Sequence, residues 1–281
     1  MNKIAFVGAG SMAEAMISGI SSRSNQSANE ITVMNRSNKE RLAFLHSTYG
    51  VQTTHEYEVL LKDASIVFLA MKPKDVFTAL SALKPYLRVN MLLVSVVAGV
   101  SMASIETIIN KKIAIIRSMP NTSATIGKSA TAIAQNQYVN NEQLQIVTSL
   151  LETIGEVTLV QEEQLDAVTG LSGSGPAYIY YIVEAMEQAA EKIGLEKEAS
   201  KALILQTIIG AAEMLQSSPK TPQTLRKEVT SPGGTTEAGL NVLQTAQVQE
   251  AIMNCIVEAT AQSKRLGEKI DQEIQEKSLL I

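Results

Sequence analysis

Apolar residues in the first 160 positions of the sequence come in short runs. Six of these runs are four or five residues long, are mostly aliphatic, and are separated by stretches long enough for a helix. They cover residues 4–7, 31–34, 66–69, 92–96, 113–116 and 157–160. Strands that are apolar on both faces and alternate with helices are typical of a parallel sheet covered by helices. The pattern therefore predicts an α/β domain over residues 1–160, with a doubly wound sheet of the Rossmann type.

The pattern changes at about residue 161, where apolar residues begin to recur every three or four positions. One such stripe consists of Ile179, Val183, Met186, Ala190 and Ile193. This spacing places them on one face of an α-helix. We predict helices over residues 176–194, 198–216 and 248–269, and an all-helical second domain over residues 161–281.

The predicted helix over 198–216 is apolar nearly all round, so it needs cover on more than one side. About 120 helical residues cannot readily bury that surface alone. We favour burial against a second copy of the chain, which makes this domain a dimerisation domain. The other interpretation is that the helix packs on the chain's own first domain.

Composition limits the possible partners. The chain has 281 residues, 45% of them hydrophobic, and a net charge of -4, so it lacks the basic excess that nucleic-acid binding requires. One cysteine, Cys255, and two histidines, His46 and His55, leave little for a disulfide or a metal site. No uncharged apolar stretch reaches membrane-spanning length, and the first apolar run is too short for a signal peptide. We expect a cytoplasmic protein without metal, membrane or nucleic-acid partners.

A glycine motif follows the first predicted strand. Gly8, Gly10 and Ala13 form a G-x-G-x-x-A string between that strand and a helical pattern. Glycines at these places let the backbone turn tightly and approach a pyrophosphate, whose charge the helix N-terminus stabilises. The string in this context predicts a dinucleotide site.

The end of the second predicted strand bears on which dinucleotide binds. NAD sites usually have an acidic residue there, whereas this strand runs into Asn35 and Arg36. A guanidinium suits a 2′-phosphate, so we expect NADPH as the cofactor and NADH as a weaker alternative. The other interpretation of Arg36 is a solvated surface residue.

Two further segments follow predicted strands at the edge where ligands bind in this architecture. They are Ala70-Met71-Lys72-Pro73 and Val96-Val97-Ala98-Gly99. Lys72 could meet a phosphate or a substrate charge, and by position alone it could equally be solvated.

The sequence has no evident nucleophile with its base, carboxylate pair or metal cluster. His46 and His55 are placed away from the expected ligand edge, in structural or solvated positions. Hydride transfer to a protonated imine needs little more than orientation, because the positive nitrogen already makes the neighbouring carbon electrophilic. A hydroxy-acid dehydrogenase is disfavoured, because it must move a proton from a weakly acidic hydroxyl.

Two glycine-rich strings stand in the helical half, at residues 169–176 and 230–236. Each offers consecutive backbone N–H groups near a predicted helix N-terminus, which could hold a carboxylate. Elaborate helix capping explains both strings equally well.

At these strings the sequence resembles the pyrroline-5-carboxylate reductase family, and the resemblance extends over nearly the whole chain. It is carried by residues 167–178 and 229–240, together with 70–73 and the Met119-Pro120-Asn121-Thr122 segment, in the family's order. The sequence departs from the family's common residues at Tyr57, Ser123 and Lys227-Glu228.

The resemblance implies reduction of 1-pyrroline-5-carboxylate to L-proline by NADPH, in a homodimer that can assemble into a larger ring. It implies that backbone around Ser231, Gly234 and Thr235 holds the substrate carboxylate and that the Thr236 hydroxyl, the catalytic group, contacts the ring nitrogen. The implied cofactor-binding residues are Val7, Gly8, Ala9, Gly10, Ser11, Met12, Asn35, Arg36, Ala70, Met71, Lys72, Pro73, Val96, Val97 and Ala98.

Two alternatives remain. A dehydrogenase of the β-hydroxyacid type would carry a catalytic Lys on the first long helix, which has none before Lys192. A non-catalytic NADP-sensing protein would not need the loop from Ser231 to Thr236, which is intact.

Overall fold

The computed structural model describes residues 2–23 and 27–278. Within them, eight strands form one sheet. The strands are β1 (Ile4–Val7), β2 (Ile31–Met34), β3 (Gln52–Thr54), β4 (Ile66–Leu69), β5 (Leu92–Ser95), β6 (Ala114–Met119), β7 (Ser129–Gln135) and β8 (Gly155–Leu159). Their order across the sheet is β3-β2-β1-β4-β5-β6-β7-β8.

Most neighbouring strands are parallel, and only β6 and β7 pair antiparallel. The strand order reverses beside β1, which lies between β2 and β4. In such sheets, ligands bind outside the carboxyl ends of the strands at this reversal. The predicted Rossmann-type sheet is confirmed.

The helices of the first half are short. They are α1 (Ser11–Arg23), α2 (Lys39–Tyr49), α3 (Tyr57–Leu61), α4 (Val76–Leu83), α5 (Met102–Ile109), α6 (Asn141–Glu152) and α7 (Leu165–Val168). Two apolar cores form: one contains buried residues of α1, α2 and α6, and the other those of α3, α4 and α5. Across β1 and β4, the rings of Phe6 and Phe68 stack with centroids 4.7 Å apart.

The second half is helical, as predicted. Its helices are α8 (Gly175–Lys192), α9 (Lys197–Ser217), α10 (Pro222–Glu228), α11 (Thr235–Thr245) and α12 (Val248–Ser278). The predicted end of the last helix at residue 269 is wrong, because α12 continues to Ser278. Its added turns carry Ile274, which is buried in one of the two apolar cores beside the sheet.

The described residues of 1–174 and 258–281 form one compact unit, called here the sheet unit. Gly175–Val257 forms the other, the helical unit. The helical region that was predicted to begin at residue 161 is thus divided between the two units: its middle part, Gly175–Val257, forms the helical unit, and both ends belong to the sheet unit. The division into functional domains at residue 160 stays a prediction.

Candidate cofactor and substrate sites

The glycine loop between β1 and α1 lies against the chain that leaves β4. The Gly8 N–H donates to the Met34 carbonyl at 3.0 Å, and Gly8 has a φ of 116°. A Cβ at Gly8 would come within 2.3 Å of the Ala70 carbonyl oxygen. Only glycine fits here, because both the backbone angle and the space exclude a side chain.

Gly10 has different surroundings. A Cβ built on it would meet no atom within 4 Å. The backbone at Gly10 therefore borders open space at the start of α1, where the first N–H groups of the helix lack partners within the helix.

A groove of about 920 Å³ lies along this edge of the sheet unit. It is bordered by the loops that leave β1, β2, β3 and β4. The lining includes most of the predicted cofactor residues: Val7, Gly8, Ala9, Gly10, Ser11, Asn35, Arg36, Ala70, Met71 and Lys72.

Five of the predicted cofactor residues are not in that lining. Met12 and Val96 pack against one apolar core, and Val97 is buried in the other. Pro73 opens a short 3-10 turn, and Ala98 is exposed in the loop after β5. Their contact with a cofactor stays a prediction.

The loop after β2 is shaped by asparagine side chains. The Asn35 Oδ1 accepts hydrogen bonds from the N–H groups of Ser37 at 3.1 Å and Asn38 at 2.9 Å. Asn38 in turn caps α2 by accepting from the Arg41 N–H at 2.8 Å. The Asn35 side-chain oxygen is therefore committed to the turn.

Arg36 is exposed within the same loop, beside Tyr57. Burial raises the pKa of the Tyr57 hydroxyl, and the positive charge of Arg36 opposes that rise. Arg36 forms no salt bridge with a carboxylate among the described residues. Its charge is therefore available to a ligand in the groove.

A polar network that sequence reasoning missed holds the glycine loop in place. The Arg41 Nε donates to the Ala9 carbonyl at 2.7 Å, and its guanidinium pairs with the Glu14 carboxylate. The Tyr49 hydroxyl donates to the other Glu14 oxygen at 3.0 Å. This network joins α1, α2 and the glycine loop, and it neutralises both charges within the groove.

The placement of His55 away from the ligand edge is wrong. His55 directly follows β3, lines the groove, and has its Nδ1 2.8 Å from the Asn35 carbonyl oxygen. The error arises because β3 reads Gln-Thr-Thr and has no apolar signal. His46 is structural, as expected: its Nδ1 lies 2.8 Å from the Val51 carbonyl oxygen.

These features fit a phosphorylated dinucleotide. The open backbone at Gly10 suits a pyrophosphate, and the volume of the groove is within the range of cofactor sites. Arg41 and Glu14 neutralise each other. Among the remaining residues that line the groove, three are basic (Arg36, Lys72 and Lys74) and one is acidic (Asp75). The groove is therefore net positive where an anionic ligand would lie.

The predicted substrate loop lies in the helical unit, before α11. The Gly234 N–H donates to the Ser231 carbonyl at 3.0 Å, and the Gly233 N–H donates to the Glu237 carboxylate at 2.8 Å. Thr235 and Thr236 lie in the first turn of α11, whose N–H groups have no hydrogen-bond partner within the helix. Capping thus uses part of this loop, and the first N–H groups of α11 stay open to an anion.

The hydroxyl groups of Ser231, Thr235 and Thr236 are exposed. Among the described residues, none of them makes a hydrogen bond to another group of the chain. A neighbouring groove of about 670 Å³ within the helical unit is lined by residues of α10, α11, α12 and the loops between them, including Thr230 and Glu237. None of the predicted substrate residues lines that groove.

The first glycine-rich string is not an open loop. Residues Thr169–Gly173 form a π-helical turn, and the Ser174 N–H donates to the Thr169 carbonyl at 2.8 Å. The expectation of free N–H groups here is wrong, because the turn continues α7 toward α8. Buried Asn121 donates from Nδ2 to the Ser172 carbonyl at 3.0 Å, which fixes the turn to the end of β6.

The described residues, 2–23 and 27–278, hold neither a metal-binding cluster nor a membrane-spanning helix. They contain no group of three or more histidine, cysteine, aspartate and glutamate residues arranged to hold a metal ion. None of the helices there combines the length and apolar character needed to cross a membrane.

The sheet order, the glycine loop and the groove define a dinucleotide-binding protein of the Rossmann class. Residues 162–266 match the family described as pyrroline-5-carboxylate reductase dimerisation, and residues 3–99 match that described as NADP oxidoreductase, coenzyme F420-dependent. The chain is 49% identical to pyrroline-5-carboxylate reductase 2 of Bacillus subtilis over 96% of each chain. It belongs to the pyrroline-5-carboxylate reductase family.

Solved structures agree with this membership. A pyrroline-5-carboxylate reductase from Coxiella burnetii matches with a TM-score of 0.88 and 36% identity, over 94% of this chain and 98% of that one. The Plasmodium falciparum pyrroline carboxylate reductase, solved with NADP bound, matches with a TM-score of 0.86 and 30% identity, over 95% of this chain and 98% of that one. The family expectation from the sequence is confirmed.

Proposed function

We propose that this chain reduces 1-pyrroline-5-carboxylate to L-proline with NADPH. The observation that carries the proposal is the 49% identity to a named reductase over 96% of both chains. The structure supports it independently. The sheet unit has a net-positive groove at the glycine loop, and the helical unit has an open helix N-terminus at Thr235 and Thr236.

For the cofactor, NADPH is preferred over NADH. Arg36 supplies a positive charge after β2, where an NAD site would usually have a carboxylate. NADP is also the molecule bound in the Plasmodium falciparum relative. The residues proposed to contact the cofactor are Val7 to Met12, Asn35, Arg36, Ala70 to Pro73 and Val96 to Ala98.

For the substrate, the carboxylate is held by backbone N–H groups around Ser231, Gly234 and Thr235. The Thr236 hydroxyl hydrogen-bonds the ring nitrogen and orients the C=N bond. NADPH, when bound, supplies a hydride to the imine carbon, while the nitrogen keeps or gains one proton, so that proline and NADP⁺ result. The residues supply mainly position, because a protonated imine is already electrophilic.

A turnover assay tests the activity. NADPH oxidation should depend on added pyrroline-5-carboxylate, and proline should accumulate in equal amount. A folded sample that binds NADPH but oxidises none of it with this imine would contradict the proposal.

Arg36→Ala tests the cofactor preference. We expect it to raise the KM for NADPH about tenfold and to change that for NADH little, because a charge-assisted contact to the 2′-phosphate is lost. Equal changes for both cofactors would mean that Arg36 does not read this phosphate.

We further propose that the protein is a homodimer, which can assemble into a ring, in the cytoplasm. The match to a dimerisation family supports the dimer. So does the helical unit itself: of its apolar residues, only Ala190 and Ile204 are buried. The proposed compartment is consistent with the cofactor, since NADPH is an intracellular reductant.

A further inference from the structure

His55 occupies a place in the groove that is defined by its neighbours. It follows β3, and its Nδ1 lies 2.8 Å from the carbonyl oxygen of Asn35. Asn35 directly precedes Arg36, the residue proposed to read the 2′-phosphate of NADPH. His55, Arg36 and Tyr57 all line the groove.

The contact with Asn35 fixes the form of the imidazole. A carbonyl oxygen can only accept a hydrogen bond, so the Nδ1 of His55 carries a proton. The Nε2 makes no hydrogen bond to any described residue, and the residue is exposed. In the neutral ring, Nε2 is an acceptor and cannot donate to a phosphate, whereas in the imidazolium both nitrogens donate.

The charges that line the groove as a whole favour an anion. Glu14 and Arg41 pair with each other, and Glu56 and Glu58 are exposed neighbours along the chain. The remaining titratable groups of the groove are Arg36, Tyr57, Lys72, Lys74 and Asp75. A phosphate dianion between Arg36 and His55 would stabilise the charged form of the imidazole.

We propose that His55 is a specificity-determining residue that binds the 2′-phosphate of NADPH together with Arg36. On binding, Nε2 takes one proton from solvent and donates it in a hydrogen bond to a phosphate oxygen, and no other bond changes. NADH has a hydroxyl group at this position, so it supplies no negative charge that would stabilise a protonated His55. This inference rests on the proposed cofactor preference.

His55→Asn separates the phosphate contact from the shape of the loop. The asparagine amide can still donate to the Asn35 carbonyl, but nothing replaces Nε2. We expect the Kd for NADP⁺ to rise about tenfold near pH 6.5 and that for NAD⁺ to stay unchanged. The effect on NADP⁺ should shrink as the pH is raised, because only the charged imidazole can donate a hydrogen bond from Nε2 to the phosphate.

Calorimetry provides a readout that does not depend on turnover. NADP⁺ binding is measured in buffers of low and high ionisation enthalpy, and the number of protons taken up is compared between the wild type and His55→Asn. Any proton that the phosphate itself binds or releases contributes equally to both proteins and cancels when the two values are subtracted. We expect His55→Asn to take up fewer protons than the wild type. His46→Asn is the matched control, because His46 also contacts a backbone carbonyl at 2.8 Å but lies outside the groove.

Four results would overturn the proposal. Proton uptake that is equal in the wild type and His55→Asn excludes a charged imidazole at the phosphate. Equal losses of NADP⁺ and NAD⁺ affinity assign His55 to loop shape alone. A wild type that turns over with NADH but binds no NADP⁺ refutes both this inference and the cofactor preference, whereas intact NADP⁺ binding by His55→Asn refutes this inference only.

Discussion

Gly8 and Gly10 stand two positions apart, and each serves the loop in a different way. Gly8 is needed for folding, because a Cβ there would overlap the Ala70 carbonyl at a φ of 116°. Gly10 is needed for ligand approach, because a Cβ there would project into open space beside the groove.

Gly8→Ala should therefore destabilise the fold by about 2–4 kcal/mol and lower the melting temperature by several degrees. Gly10→Ala should leave the melting temperature nearly unchanged and weaken NADPH binding at least ~10-fold. Thermal denaturation and fluorescence titration of the two variants measure these effects. If both variants melted like the wild type, the close approach of Gly8 to Ala70 would be refuted.

Thr236→Ala removes the hydroxyl proposed to contact the ring nitrogen. We expect kcat/KM for the imine to fall about 5- to 150-fold, which corresponds to a loss of about 1–3 kcal/mol of transition-state stabilisation. The affinity for NADPH should not change. Thr236→Ser keeps the hydroxyl and should recover most of the activity, and unchanged kinetics of Thr236→Ala would remove Thr236 from the mechanism.

At the scale of residues, the sequence predicted those residues of the groove lining that belong to a recognisable segment, such as Gly8, Gly10 and Arg36. It did not predict His55 or the pairing of Arg41 with Glu14. These residues are far apart in the chain or follow a polar strand, so no local pattern marks them. Only the parallel pairing of β2 with β3 brings His55 to Asn35.

At the scale of elements, the end of α12 is tied to the start of α5. The Asp271 carboxylate accepts hydrogen bonds from Ser101 at 3.1 Å and Ser104 at 2.5 Å. Gly99 and Gly267 let the two segments come close: a Cβ on Gly99 would lie 3.5 Å from the Gly267 Cα. A carboxylate at a helix N-terminus is also favoured by the helix dipole.

Asp271→Ala should lower the free energy of unfolding by about 1–3 kcal/mol, because two hydrogen bonds to a partly buried carboxylate are lost. Chemical denaturation measures this change. Glu268→Gln, on the exposed face of the same helix, is the control and should change stability by less than about 0.5 kcal/mol. A loss of stability equal in both variants would argue against the docking role of Asp271.

Elements with a strong periodic pattern were predictable, and those with a weak pattern were not. The strand β7 reads Ser-Ala-Thr-Ala-Ile-Ala-Gln, and alanine gives little strand signal, although most of β7 is buried. The last turns of α12 look polar because one narrow face, with Ile270 and Ile274, contacts the apolar core. The segment Thr169–Gly173 has glycines that suggest a loop, but it forms a π-helical turn whose Ser172 carbonyl accepts a hydrogen bond from Asn121.

At the scale of the whole molecule, the helical unit leaves many large apolar side chains exposed to solvent. Leu203, Leu205, Ile209, Met214 and Leu215 of α9 are all exposed. A patch of this kind on a folded chain is typical of a protein interface. This exposure supports the interpretation that a second copy covers the helix.

Ile209→Glu should therefore shift the protein toward single chains, because a charge would have to be buried in the proposed interface. Light scattering should give the mass of at least two chains for the wild type and a smaller mass for the variant. Val89→Glu, on an exposed residue of the sheet unit, is the matched control and should leave the mass unchanged. A wild-type mass of one chain would contradict the dimer.

The fold class was predictable at this scale, because buried parallel strands and helical periodicity are properties of long segments. The extents of the compact units were not predictable from the sequence. They depend on contacts between distant parts of the chain, such as Ser263 with Asp166 at 2.6 Å, which return the end of α12 to the sheet unit.

The sheet ends on both sides in a short strand that resists growth. At one edge β3 has three polar residues, and at the other β8 has the charged Glu156 within its five. Short edge strands and charges on them hinder pairing with another sheet. The main-chain edges of the sheet are thus poor templates for pairing with another sheet, so we expect any self-association of this protein to involve side chains on its helices and not its strand edges.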